Sequence, residues 1–117
     1  MSHLTLLVDD DEAIRRLLTE YFDIMGLQTA CASDGQEALE LLDKLNPAVV
    51  VTDVDMPMMN GLDLIKALQE RQTSIPVIAI SGNFAHLVAA DNLGAVSTFV
   101  KPLDLSGLVA EVKRLLG

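Results

Sequence analysis

The chain has 117 residues, half of them apolar and 3% aromatic, so a core has to come mainly from Leu, Val, Ile, Ala and Met, enough for one domain over residues 1–117. A net charge of -9 argues against an electrostatic grip on nucleic acid and disfavours an anionic membrane surface. The single cysteine, Cys31, cannot form an internal disulfide, and no apolar run reaches membrane-spanning length, so a soluble cytoplasmic protein is expected.

Leu4 to Val8 reads as a first strand running into Asp9-Asp10-Asp11. Apolar residues then recur at Ile14, Leu17, Leu18, Tyr21, Phe22 and Met25, the spacing of one helix face, with Asp11 placed to cap it and Gly26 to end it. Leu27 to Ala32 predicts a second, weaker strand. Ser33 and Gln36 have capping-box spacing and open a helix carrying Ala38, Leu41, Leu42 and Leu45, which Pro47 stops.

The central stretch is PAVVVTDVDMPMMNG, residues 47 to 61. Val49-Val50-Val51-Thr52 is β-branched and apolar on both faces, which suits the interior of a parallel sheet, and it ends on Asp53. Pro57 and Asn60-Gly61 turn the chain into a helix bearing Leu62, Ile65 and Leu68. Ile75 to Ile80 predicts a fourth strand closed by Ser81-Gly82. An alanine-rich helix follows from Phe84 to Leu93 and Gly94 ends it. Thr98 to Val100 is a brief fifth strand before Lys101-Pro102, and a last helix carries Leu105, Leu108, Val109, Val112, Leu115 and Leu116.

Five strands alternating with five helices predict an α/β fold, a doubly wound parallel sheet covered on both faces. Four of the strands end in Asp9-Asp10, Asp53, Ser81 and Lys101, at the carboxyl edge where open α/β sheets bind ligands. Three converging carboxylates repel one another unless a cation or a proton intervenes, and an oxygen-only set suits Mg²⁺. A carboxylate can serve as the nucleophile in phosphoryl transfer when a metal, an ammonium and a hydroxyl neutralise the transferred group. This chain holds all three kinds of residue.

On LLVDDD at 6–11, TDVDMPMMNGLDL at 52–64, ISG at 80–82 and KP at 101–102, the chain resembles the receiver domains of two-component response regulators, from Leu4 to Leu116. The resemblance implies a flavodoxin-like, five-stranded sheet of order 2-1-3-4-5. It implies that Asp53 is phosphorylated by a histidine kinase or histidine phosphotransfer protein. Asp9, Asp10 and Asp53 would hold Mg²⁺ together with the backbone carbonyl of Asp55. Ser81 would bond a phosphoryl oxygen, Lys101 would pair with Asp53 and then with the phosphate, and the Lys101-Pro102 bond would be cis. A signalling switch with a downstream protein target is implied, catalysing only its own phosphorylation and dephosphorylation.

Against the family pattern, Thr98 stands where receivers often carry a switch aromatic, and by strand alternation Phe99 faces the other way. The short Ser81-to-Lys101 segment predicts a displaced or shortened fourth helix. Asp55, beside the site, is expected to affect metal affinity or the attacking water. An alternative function is a haloacid dehalogenase-like phosphohydrolase using the spacing of Asp53 and Asp55. Met56, Met58 and Met59 are expected to pack in their loop, His3 and His86 to be surface residues without metal partners, and Cys31 to be a small buried apolar residue.

Overall fold

Short apolar runs set strand lengths: five residues each in β1 (Leu4–Val8), β2 (Gln28–Ala32), β3 (Val49–Asp53) and β4 (Val77–Ser81), four in β5 (Ser97–Val100). Helices α1 (Glu12–Ile24), α2 (Gly35–Leu45), α3 (Gly61–Glu70), α4 (Phe84–Asn92) and α5 (Leu105–Leu116) alternate with them. The computed structural model describes residues 3–57 and 59–117, so the expectation for Met58 lies outside the described residues. All pairings are parallel and the sheet order is β2-β1-β3-β4-β5.

The sheet separates two apolar layers. Leu6, Val8, Val50, Val77 and Ala79 face α2, α3 and α4 through Ala38, Leu42, Leu64, Ile65, Leu68 and Ala90. Leu7, Val49, Val51, Ile78 and Ile80 face α1 and α5 through Leu18, Phe22, Leu108, Val109 and Val112. Central strands β3 and β4 are buried at every residue, which explains their continuous apolar runs, whereas edge strand β5 alternates half-buried with exposed positions. Thr98 therefore points to solvent while Phe99 packs into the α1–α5 layer.

Local chemistry stops and starts the helices. Asp11 accepts from the N–H groups of Ala13 and Ile14, and Gly26 takes φ 81° just beyond α1. Asn60 and Asp63 form a capping box on α3. The expected box at Ser33 and Gln36 sits one residue later: Asp34 is the cap and accepts from Glu37 N–H, while Glu37 reaches back to Ser33. Asp34 wins because its carboxylate is the better acceptor for an amide at the positive end of a helix dipole. Strand β2 begins one residue later than the apolar pattern suggests and β4 two, since Thr73 and Ile75 close a turn with a side-chain bond of 3.2 Å. At nine residues α4 is the shortest described helix, and its apolar residues are poorly segregated. Among the described residues, no helix is long and apolar enough to cross a membrane.

Candidate functional site

Parallel register brings the ends of β1 and β3 side by side, because Val8 pairs with Thr52 and the next residue of each strand is an aspartate. Asp9 and Asp53 are 5% and 3% exposed, while Asp10 is open to solvent. One carboxylate oxygen from each of the three lies within 4.8 Å of the others. Asp9 is fixed from several sides: its N–H donates to Ala32 O at 3.1 Å, its carbonyl accepts from Arg15 Nη1 at 2.7 Å, and its Oδ1 accepts from Asp11 N–H at 2.9 Å.

Asp53 is held by backbone crowding as well as by hydrogen bonds. Thr52 Oγ1 donates to its carbonyl at 3.0 Å, and Gly61 passes so close that a Cβ there would lie 2.6 Å from that carbonyl oxygen. Glycine at 61 is thus a packing requirement of the turn. The next backbone amide, Val54 N–H, donates to Ile80 O at 2.8 Å and locks the loop onto β4. From β5, Lys101 N–H donates to Ser81 O, the Lys101-Pro102 bond is cis, and Lys101 Nζ comes 3.3 Å from Asp53 Oδ1. The same Oδ1 accepts from Asp55 N–H at 3.3 Å, and Oδ2 has no hydrogen bond among the described residues.

The charges follow from this burial. Burial pushes Asp9 up to about 6, aided by repulsion from Asp53 and opposed by Asp11 N–H and Lys101. Burial likewise raises Asp53, against the lowering pull of Lys101 and of the Asp55 N–H bond. Two carboxylates held above their ordinary range beside a third, with no thiolate or imidazole among them, form a hard oxygen set that a divalent cation such as Mg²⁺ fits.

Asp9, Asp10, Asp53 and Lys101 therefore meet where the sequence led one to expect. Ser81 is fully buried nearby, but its hydroxyl donates to Asp55 Oδ2 at 2.6 Å instead of to Asp53, and accepts from Asn83 N–H at 2.9 Å. The Asp55 side chain lies apart from the three-carboxylate group: its other oxygen, Oδ1, meets His86 Nδ1 at 2.5 Å. Burial pushes Asp55 up, yet the Ser81 hydroxyl and His86 outweigh it and hold this carboxyl below its usual range. His86 is thus a half-exposed member of the site and not a simple surface residue. The sequence signal was slight: Asn83 caps α4 and puts His86 in its first turn, at the strand-end side of the sheet.

Other expectations resolve locally. His3 is exposed, Met56 is buried, and the Met59 side chain packs beside Gly35 at the start of α2. Cys31 is only half-buried, its Sγ 3.2 Å from Thr19 Oγ1, because β2 is an edge strand.

Comparison with known proteins agrees with this architecture. The response regulator receiver domain family profile matches residues 5–113. Regulatory protein AtoC of Escherichia coli K12 is 36% identical over 95% of this chain, and Sporulation initiation phosphotransferase F of Bacillus subtilis is 34% identical over 99% of this chain and 95% of its own length. The chain spans only 24% of AtoC and 32% of the Regulator of RpoS of Escherichia coli K12. Among solved structures, the receiver domain of Francisella response regulator 1452 superposes with TM-score 0.92 at 30% identity, covering 98% of this chain and 97% of that one. With the strand order, the acid cluster and the lysine in place, the chain belongs to the receiver-domain family of two-component response regulators.

Proposed function

We propose that this receiver is a phosphorylation-activated switch in which Asp53 accepts a phosphoryl group from a histidine kinase or a histidine phosphotransfer protein. One observation carries the reading: Lys101 Nζ stands 3.3 Å from Asp53 Oδ1, with oxygens of Asp9, Asp10 and Asp53 gathered within 4.8 Å. Mg²⁺ bound by these three carboxylates and the Asp55 carbonyl would supply charge neutralisation at the phosphoryl oxygens.

The chain's own groups do the rest. Oδ1 of Asp53 is occupied by Lys101 and Asp55 N–H, which leaves Oδ2 to attack phosphorus. A P–O bond forms, the P–N bond of the phosphohistidine breaks, and its electron pair returns to the imidazole nitrogen. Lys101 then turns its ammonium to the new phosphoryl oxygens, and Ser81 exchanges Asp55 for one of them. Exposed Thr98 offers no aromatic to swing inward, so the response runs through Ser81 and α4. The downstream target is a protein, and the setting is the cytoplasm, where a lone thiol such as Cys31 stays reduced.

Receivers are signalling modules and not classical enzymes, and the dehalogenase-like alternative has little support. The side chain of Asp55 is committed to Ser81 and His86, so it is not poised as an acid for a leaving group at Asp53. Incubation with a small phosphoramidate and Mg²⁺, followed by intact mass measurement, tests the proposal. The expected result is one hydroxylamine-labile phosphoryl group that is absent in Asp53→Asn. Modification retained in that variant, or continuous turnover of free phosphate esters, would overturn it.

A further inference from the structure

Ser81 and His86 are joined through one carboxylate. Ser81 Oγ donates to Asp55 Oδ2 at 2.6 Å, and His86 Nδ1 meets Asp55 Oδ1 at 2.5 Å. The ring closes through the backbone, because Asn83 N–H donates to Ser81 Oγ and Asn83 Oδ1 accepts from Ala85 N–H at 2.9 Å and from His86 N–H at 3.4 Å. Three segments meet in this ring: the loop after β3, the end of β4 and the first turn of α4.

Asp55 is a part-exposed side chain that would otherwise turn in solvent, with 35% of its side chain open. Contacts to both oxygens fix its two side-chain torsions, and that fixed carboxylate aims the Ser81 hydroxyl away from Asp53. We propose that His86 is a positioning residue that acts through Asp55 to keep Ser81 Oγ off the phosphoryl acceptor, so that a phosphoryl group on Asp53 and the first turn of α4 compete for one hydroxyl. This rests on the function proposed above and adds the regulation of that site. When Ser81 is drawn to the phosphoryl group, Asp55 loses the Ser81 hydroxyl and keeps His86 and the Gly82 N–H, and the tie between α4 and the β3–α3 loop loosens. The histidine thereby acts as a brake on phosphorylation and as the route by which phosphorylation reaches α4.

Two measurements at one fixed pH test this. In the first, the phosphorylation rate is followed with a small phosphoramidate and Mg²⁺. His86→Ala should react up to about tenfold faster, the scale of one weakened charge-assisted hydrogen bond. His86→Asn, whose amide nitrogen falls near the place of Nδ1, should restore the wild-type rate, and His86→Ala should have no further effect in a Ser81→Ala background. In the second, amide exchange is read in the unphosphorylated protein without metal. His86→Ala should speed exchange at Ala85 and His86, and His86→Asn should not. An equal acceleration in the Ser81→Ala background, no rescue by Asn, or unchanged exchange would overturn the proposal. If wild type takes no phosphoryl group on Asp53, the function proposed above fails, while the exchange experiment still reads the His86–Asp55–Ser81 coupling.

Discussion

Replacing Asp9 with Asn removes a carboxylate that the fold holds against its preference. Asp9 is pushed by burial from 3.8 to about 6, so its folded state binds more protons than the unfolded chain throughout that interval. Wild-type stability from this group is therefore fully present below the unfolded value and is lost as pH rises through about 6. A shift of that size corresponds to roughly 3 kcal/mol of burdened stability at neutral pH, since one unit is about 1.4 kcal/mol. The Asn carbonyl oxygen can still accept from Asp11 N–H, now 2.9 Å from Oδ1, and the rise to about 6 is already net of the attraction to Lys101. The net expectation is that Asp9→Asn stabilises the metal-free protein by about 3 kcal/mol near neutral pH, a urea midpoint shift of about 2 M. Urea unfolding of both proteins in chelator, at about pH 4 and about pH 7.5, checks both size and sign. The gap should be near zero in acid and open at the higher pH. An Asn variant equal to or weaker than wild type near neutrality would refute the burial argument. Magnesium should narrow the gap by stabilising the wild type more, since ligand binding to the folded state adds stability by mass action.

Gly61→Ala pits helix propensity against sterics: propensity favours Ala by about 1 kcal/mol, yet the added Cβ would lie 2.6 Å from Asp53 O and 2.8 Å from Val54 Cα. Both are backbone atoms that cannot swing aside, so net destabilisation of about 2 kcal/mol and slower phosphorylation of Asp53 are expected, and a stability equal to wild type in urea would contradict the close approach. Phe22 is fully buried between α1 and the sheet, and Phe22→Ala should cost about 3–5 kcal/mol by cavity formation. Calorimetry showing a loss under about 1 kcal/mol would mean that the α1 layer collapses into the void more readily than its packing implies.

The fold was legible because each strand and helix carries its own signal. The unbroken run Val49-Val50-Val51-Thr52 marks a strand buried on both faces, and β3 is buried throughout. Asp11, Gly26, Asn60 and Gly94 punctuate their helices by local backbone chemistry, which depends only on neighbours in the chain. Where two residues competed for one local role, pattern alone misjudged by a step, as at Ser33 and Asp34. The α4 register illustrates the opposite limit: its apolar residues mark no clear face, so nothing local says which side of the helix meets the strand ends.

The acid cluster was readable for a different reason. Asp53 ends its strand, and Asp9, Asp10 and Lys101 lie within two residues of theirs, and a parallel sheet carries all such positions to one edge whatever the loops do. Residue types and strand ends thus determined the chemistry available: hard oxygen donors, an ammonium and a hydroxyl at a common edge. Only tertiary structure decided where the hydroxyl goes. Ser81 turned to Asp55, and Asp55 to His86, because the crossover through α4 returns an imidazole above a loop from the other side of β4. Hydrogen bonds between distant segments depend on side-chain torsions and helix phase within fractions of an ångström, and no spacing along the chain encodes those.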